Sequence, residues 1–251
     1  MALRTPSLAI IVIAAGKGTR MRSPIAKVLH ALAGRPLLAH VLEAALPLRP
    51  QVLITVVGYQ AETVRALCDT YDSHSVLQEP QLGTGHAVAQ AEPLLVDFQG
   101  DVLILYGDVP LLRTSTMQAL WDEHRRQQAT VTVLTAWVDD PTGYGRIRRD
   151  TQGRIVRIVE ERDASPLERA GREINSGVYC IRAPFLFPAL RQIGCDNAQG
   201  EQYLTDVVAV AVNDAQPVAH LTVANVEEIS GVNTPDELAR LETMLQNRLY
   251  P

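Results

Sequence analysis

The stretch Leu8–Lys27, LAIIVIAAGKGTRMRSPIAK, constrains the fold more than any other part of the chain. Its unbroken apolar run, Leu8 to Ala14, reads as a short strand buried on both faces, as in a parallel sheet. The run opens into Gly16-Lys17-Gly18-Thr19-Arg20, where missing Cβ atoms let a ligand come close to the backbone. Arg20 and Lys27 add positive charge, and backbone N–H groups together with cations make a phosphate site. Two better-known phosphate loops do not fit. The spacing to a Gly-Lys-Ser/Thr triplet that a Walker A loop needs is absent at Gly16, and Met21 stands where a dinucleotide fingerprint requires glycine.

Strands and helical patterns alternate after this loop, which predicts βαβ units and an α/β fold with a mainly parallel sheet. The sequence predicts helices over 37–46, 61–67, 86–95, 114–127 and 202–212. Strands are expected at Val52–Val57, Ser75–Gln78, Asp101–Tyr106, Thr130–Val138, Val178–Ile181 and Val218–Val223. Between them, Arg146–Arg149 and Ile155–Val159 flank an Asp150-Thr151-Gln152-Gly153 turn and read as a hairpin. Its Arg148, Arg149, Arg154 and Arg157 read as a solvated face. Thr142–Asn175 is a candidate cap over the carboxyl edge of the sheet, where open α/β sheets bind ligands. From Pro235 a leucine stripe at 238, 241, 245 and 249 marks a terminal helix. The expected division is a main domain over 1–234 followed by this helix over 235–251.

Bulk properties exclude several classes of function. At 251 residues the chain can bury one large core, and 47% hydrophobic with 20% charged residues suits a globular protein. A net charge of −5 argues against nucleic acid or a membrane surface as the main partner. Cys68, Cys180 and Cys195 are odd in number and widely spaced, which points to a reducing compartment instead of a disulfide framework or zinc site. Arg4 followed by Leu8–Ala15 superficially resembles a signal peptide, but the apolar run is short and the phosphate loop would follow directly on a cleavage site. No apolar stretch nears the ~20 residues that a membrane span needs. The expectation is a cytoplasmic protein.

Asp108 follows the strand Asp101–Tyr106, so its carboxylate leaves the strand's carboxyl end beside the phosphate loop. One or two protein oxygens, completed by phosphate and water, suit magnesium. Gln78 and Leu82-Gly83-Thr84-Gly85-His86 form a second anchor. A Gln amide carries both donor and acceptor, which suits a base edge, and glycines leave room for a flat base. The same glycines could merely cap a helix starting near His86, and His86 itself is given no role. Gly143-Tyr144-Gly145, Glu160, Asn175 and Asn233 are polar or flexible positions next to strands, each weak alone.

Taken together, these segments resemble a known family. The chain is similar to the N-terminal pyrophosphorylase domain of the bacterial bifunctional N-acetylglucosamine-1-phosphate uridylyltransferase/glucosamine-1-phosphate acetyltransferase. The likeness rests on Ala14-Ala15-Gly16-Lys17-Gly18-Thr19-Arg20-Met21, Lys27-Val28-Leu29-His30, Gln81-Leu82-Gly83-Thr84-Gly85-His86-Ala87 and Tyr106-Gly107-Asp108-Val109-Pro110-Leu111. It continues through Asp139–Ile147 (DDPTGYGRI), Ile158-Val159-Glu160, Glu173-Ile174-Asn175-Ser176-Gly177, Asn197-Ala198-Gln199-Gly200-Glu201 and Gly231-Val232-Asn233. The first loop is common to many sugar nucleotidyltransferases, whereas LGTGHA, DDPTGYGRI and NAQGE are more specific.

The resemblance implies a three-layer Rossmann-like nucleotidyltransferase fold of the nucleotide-diphospho-sugar transferase type. It implies transfer of uridylyl from UTP to N-acetylglucosamine 1-phosphate, giving UDP-N-acetylglucosamine and pyrophosphate. Ala14, Ala15 and Gly16 would contact the nucleotide, Arg20 and Lys27 the phosphates, and Gln78, Gly83 and Thr84 the uracil. Asp108 and Asn233 would hold Mg2+, and Tyr106, Gly107, Gly145, Glu160 and Asn175, with Asn233, would line the sugar site. Two departures stand out. Ala26 replaces the family's usual proline before the lysine. The sequence also lacks the hexapeptide-repeat β-helix that carries acetyl transfer and trimer contacts, so the expectation is a monomer or weak dimer without acetyltransferase activity. The competing expectations are the same reaction with another sugar 1-phosphate, or a nucleotide-sugar binder without turnover.

Overall fold

The computed structural model describes residues 7–249, with side chains described as far as residue 245; Arg4 and the side chain of Leu249 lie outside the described residues. Strand β1, Leu8–Ala14, occupies the middle of a nine-stranded sheet. Its residues alternate between two cores: Leu8, Ile10, Val12 and Ala14 pack on one face, Ala9 and Ile11 on the other. Burial of both faces is why the run is apolar throughout.

A two-residue hairpin pair follows, β2 (Ala31–Leu32) and β3 (Arg35–Pro36), then helix α1 (Leu37–Ala45). Next come β4 (Val52–Val57), α2 (Ala61–Asp69), β5 (His74–Leu77) and α3 (Thr84–Ala89). The middle of the chain contains β6 (Asp101–Tyr106), α4 (Thr114–Arg126) and β7 (Val131–Trp137). Hairpin β8 (Arg146–Arg149) and β9 (Ile155–Val159) leads through the short α5 (Pro166–Arg169) to β10 (Glu173–Arg182). The chain closes with α6 (Ala183–Leu190), α7 (Asp206–Asn213), β11 (Val218–Thr222) and α8 (Pro235–Leu249).

The strand order is β11-β7-β10-β6-β1-β4-β5, with β8 and β9 attached through β10. Every neighbour pair on the main path is parallel except those of β10, which runs antiparallel to both β6 and β7. Helices α1, α2 and α4 cover one face through Leu38, Leu42, Val64, Cys68, Met117 and Leu120. Helices α3, α6 and α7 cover the other through Val88, Leu186, Phe187, Val207 and Val208. This is the expected three-layer α/β architecture with a mixed, mainly parallel sheet. A third, small cluster of Met21, Leu32, Leu37, Leu111, Val232 and Leu241 seats α8, with Leu238 and Leu245 against it. Among the described residues no helix is long and apolar enough to cross a membrane.

Several boundaries differ from the sequence reading. The helix expected over 86–95 starts at Thr84 and breaks after Ala89 into a 3-10 turn at Glu92–Leu94, where Pro93 cannot supply an N–H. The helix expected from Gln202 begins only at Asp206, because the backbone of Gln202 is bonded to Leu82 and Gly85. The strand read as Val178–Ile181 extends over ten residues. The hairpin arginines Arg148, Arg154 and Arg157 do form a solvent-exposed face, as expected, but its charges are ion-paired, and Arg149 is more shielded. Arg149 is bidentate to Glu173 at 2.8 and 2.5 Å, Arg157 reaches Glu168 at 2.8 Å and Arg154 pairs with Asp150 at 2.7 Å. Arg146 is buried outright, its guanidinium 2.7 Å from Glu161. The hairpin also joins the sheet, β8 pairing with the start of β10 at Arg146–Ile174.

Candidate active site

Strands β1, β4, β5 and β6 run parallel, so the segments that follow them meet at one edge of the sheet. They enclose a cleft of about 390 Å³ lined by Ala14, Gly16, Lys27, Gln78, Gly83, Thr84, Tyr106, Asp108 and Asn233. These expected site residues come from well-separated stretches of sequence. A larger cavity of about 680 Å³ opens at the opposite edge, between β11 and the β8–β9 turn. Its Arg149 and Arg154 are already ion-paired with Glu173 and Asp150, which leaves it poorly suited to a phosphate.

The charged centre is compact. The Lys27 ammonium forms an ion pair with Asp108 and donates to Asn233 Oδ1 at 3.0 Å. Arg20 Nη2 donates to the same Asn233 oxygen at 2.9 Å. Both members of the Lys27–Asp108 pair are largely shielded, with side chains 16% and 13% exposed. Asn233 is delivered to this point by backbone and cap. Val232 N–H donates to the Asp108 carbonyl at 2.9 Å. Asn233 N–H and Thr234 N–H both donate to Glu237 Oε2 in the first turn of α8, at 2.6 and 3.0 Å.

The phosphate loop owes its path to two glycines of different purpose. Gly18 has φ +66°, and a Cβ there would lie 2.5 Å from Lys27 Cβ, so only glycine lets the loop fold against the lysine. A Cβ on Gly16 would meet nothing within 4 Å, so that residue faces the open cleft. Ala15 itself is buried. Its carbonyl accepts from Tyr59 N–H at 3.1 Å and from Gln81 Nε2 at 2.5 Å, which pins the start of the loop.

Asp108 and Asn233 present their side-chain oxygens to a common point, the position of the Lys27 ammonium. One carboxylate and one amide oxygen suit a hard divalent cation that completes its shell from phosphate and water, but the Lys27 ammonium fills that point here and would have to withdraw toward the phosphates for the cation to bind. No group of three or more His, Cys, Asp or Glu among the described residues is placed to hold a metal, so a cation here would depend on substrate oxygens.

Where the sequence reading expects the base, Gln78 is buried, and its Nε2 donates to the Gly83 carbonyl at 2.9 Å and faces His86 Nδ1 at 3.2 Å. His86, which the sequence left without a role, therefore braces Gln78. Gly83 has φ +113°, and a Cβ there would come within 2.5 Å of the Gln202 carbonyl oxygen. Gly85 N–H bonds that same oxygen at 2.7 Å. The glycines thus admit the 201–203 backbone, a packing demand beyond leaving room for a flat base.

The residues expected to line a sugar site divide. Glu160 and Arg20 border an adjoining cleft of about 270 Å³ with Gly143, Glu161, Gln199 and Tyr203. Burial, joined by the charges of Asp206, Asp163 and Glu201, pushes the Glu160 carboxyl up, although Thr205 Oγ1 donates to it at 3.1 Å. Gly145 lies beside Glu160, its would-be Cβ 3.6 Å from both carboxylate oxygens. The Tyr106 phenol is raised by burial and by Glu160 and Asp108. Its ring rests on Gly177, where φ is +85° and a Cβ would sit 2.8 Å from the ring. Asn175 is buried and accepts from Gly177 N–H at 3.0 Å, bracing the turn beneath that ring. Gly107 does not line either cleft: Leu38, Val28 and Ala14 surround it in the core.

Comparison with known proteins fits this geometry. Residues 10–209 match the MobA-like NTP transferase domain. The chain belongs to that family. Within it, the chain is 50% identical over 244 residues to the bifunctional protein GlmU of Pelobacter propionicus, covering 97% of this chain and 53% of the relative. It is 49% identical over 243 residues to the Geobacter metallireducens GlmU, covering 96% and 51%, and 45% identical to that of Desulfotalea psychrophila, covering 96% and 71%. The chain thus spans about half the length of the first two, a span that fits their N-terminal domain alone. A solved structure of a Bacillus anthracis protein assigned as a glucose-1-phosphate thymidylyltransferase, complexed with sucrose, superposes with a TM-score of 0.73. It covers 95% of both chains at 17% identity, and so shares the fold.

Sequence reasoning missed Gln81, Glu201 and Tyr203, which line these clefts, and Thr205, which donates to Glu160. Gln81 and Glu201 stood inside the quoted QLGTGHA and NAQGE segments, so their neighbours marked them. Tyr203 and Thr205 carry no local signal and are found only through their contacts with the Glu160 region.

Proposed function

We propose that this domain transfers a uridylyl group from UTP to N-acetylglucosamine 1-phosphate, giving UDP-N-acetylglucosamine and pyrophosphate. The observation that carries the reading is the convergence of Lys27, Arg20, Asp108 and Asn233 beside a glycine loop that faces an open cleft. Both GlmU relatives and the NTP transferase family point to the same class of chemistry.

The attacking group needs no general base, because a sugar phosphate is largely a dianion at neutral pH, its second pKa being about 6. The reaction joins a sugar-phosphate oxygen to the α-phosphorus of UTP and breaks the bond to pyrophosphate on the opposite side. The chain's residues therefore position reactants and offset charge. Lys27 and Arg20, with the amides of the 16–19 loop, would hold the leaving pyrophosphate. Asp108 and Asn233 would hold Mg2+, which when bound supplies Lewis-acid stabilisation of the phosphate oxygens. Gln78, Gly83 and Thr84 would read uracil. Glu160, Tyr106, Gly145 and Asn175 would form and brace the sugar side.

The test is pyrophosphate release from UTP against a panel of sugar 1-phosphates, with and without Mg2+. The expected result is Mg2+-dependent turnover that favours N-acetylglucosamine 1-phosphate. Nucleotide binding without turnover on any member of the panel would reduce the domain to a binding module.

A further inference from the structure

The catalytic lysine is fixed by a residue that neither the motifs nor the comparisons mark. Ala26, immediately before Lys27, is fully buried, so its N–H cannot turn to water and must find a partner inside the protein. The partner is Gln60 Oε1, which accepts that N–H at 2.7 Å from the turn between β4 and α2. We propose that Gln60 is a positioning residue for Lys27: its side-chain amide sets the backbone from which the ammonium is aimed at Asp108 and Asn233. The proposal rests on the uridylyltransfer reading for its kinetic consequence.

Three independent features of the turn support this role. Gln60 is held in the left-handed region, φ +51°, which costs a side-chain-bearing residue free energy and is kept where the surroundings demand it. Its carbonyl already starts α2, accepting from Thr63 and Val64 N–H at 3.0 and 3.1 Å, so the helix makes no use of the side chain. The neighbouring residues grip the rest of the loop. Tyr59 N–H holds the Ala15 carbonyl at 3.1 Å, Tyr59 Oη donates to the Pro24 carbonyl at 3.1 Å, and Lys17 lies 5.4 Å over the Tyr59 ring. Gly58 allows the close approach, since a Cβ there would sit 2.7 Å from the Ala15 oxygen. The loop from Ala15 to Ala26 is thus clamped at both ends by one turn, and Gln60 is the clamp at the lysine end.

Gln60→Gly separates this role from a structural one, because glycine adopts the left-handed conformation readily and removes only the amide. A purely structural role predicts a lowered Tm, because the buried Ala26 N–H loses its partner, with kcat unchanged. The positioning role predicts kcat lowered roughly five- to tenfold, the scale of one lost hydrogen bond expressed in the transition state, and a smaller change in KM for UTP, with only a small fall in Tm because glycine relieves the left-handed strain and so offsets part of the lost bond. Gln60→Glu, which keeps an acceptor oxygen at the same reach, should recover most of the loss. So should Ala26→Pro in the Gln60→Gly background, because proline needs no acceptor and Ala26 already has φ −55°. A kcat within twofold of the parent for Gln60→Gly, or equal losses for the Gly and Glu variants, would overturn the proposal. Hydrogen exchange over residues 24–29 gives a readout that does not depend on the substrate. Exchange should quicken there in Gln60→Gly while α2 is unaffected, and no change would overturn the proposal even if UTP proved not to be the substrate. Absence of turnover in the parent on the whole sugar panel, with the exchange result as expected, would instead reject the functional reading alone.

Discussion

Asp108→Asn should remove nearly all turnover and leave a folded protein. The substitution keeps shape and one acceptor oxygen but deletes the charge that faces Lys27 and, in the proposed reaction, the cation. Loss of one strong electrostatic contact at the transition state typically costs about 3–4 kcal/mol, which corresponds to a 10²–10³-fold drop in kcat. The stability effect should be far smaller. Breaking a buried pair can cost about 3–5 kcal/mol, but both side chains keep some access to the cleft, and the introduced amide oxygen and that of Asn233 would still accept from Lys27. Roughly 1–2 kcal/mol is then expected, a fall of a few degrees in Tm for a domain of this size. Stopped pyrophosphate assays over a Mg2+ titration, beside a thermal melt, measure both quantities. A variant that keeps more than about a tenth of the parent rate at saturating Mg2+ would refute the reasoning. A collapse of Tm would mean that the carboxylate is primarily structural.

Lys27→Ala and Arg20→Ala should each lower kcat more than they raise KM for UTP, because their charges oppose charge that grows on the leaving group; a pure KM effect in steady-state kinetics would mean uniform binding. Gln78→Ala should erode a preference for UTP over CTP and ATP, since a mispaired base leaves buried polar groups unsatisfied at about 1–3 kcal/mol each; comparable kcat/KM for UTP and ATP in the parent would remove Gln78 as the reader. Away from the site, Asp101 lies against Trp121 Nε1 at 2.8 Å and His124 Nε2 at 3.3 Å. Burial pushes its carboxyl up, but the His124 ring beside it and the hydrogen bond from Trp121 outweigh burial and hold it below its ordinary 3.8. A lowered folded-state pKa stabilises above the unfolded value and is lost as pH falls through the folded one. The stability gap between the parent and Asp101→Asn, followed by denaturant titration, should therefore be full at pH 7 and shrink below about pH 4; a gap that widens on acidification would contradict the assignment.

What could be read in the sequence follows from how locally each feature is encoded. Strand β1 and its loop were legible because burial of both faces forces an unbroken apolar run, and Asp108 because its strand ends just before it. Strand β10 was read at less than half its length, since Asn175, Ser176 and Gly177 look like a turn. They stay in the strand because their polar groups are satisfied within the sheet, Ser176 Oγ donating to the Leu134 carbonyl at 2.7 Å, and because a register shift follows Asn175. Helix α6, APFLFPAL, was missed because Pro184 and Pro188 argue against a helix, although its first proline sits where a helix has no N–H to lose. Arg146 is indistinguishable by sequence from the other arginines of the hairpin, yet it alone among them is buried. The Gln60–Ala26 contact joins residues 34 positions apart and has no local signature at all.

The attachment of α8 bears on how the enzyme fails. Asn233 hangs on the first turn of that helix through Glu237, and the helix is seated on the small cluster that also anchors Met21, the end of the phosphate loop. Neither of the two large cores depends on it. Detachment of α8 would therefore be a subglobal opening with its own, lower free energy, one that leaves the sheet and both main layers standing. It would uncover Met21 and withdraw Asn233 in a single motion. Warming the protein should then silence the site while most of the backbone is still native, so the temperature of half-activity marks the undocking of one helix and the melting temperature marks the sheet.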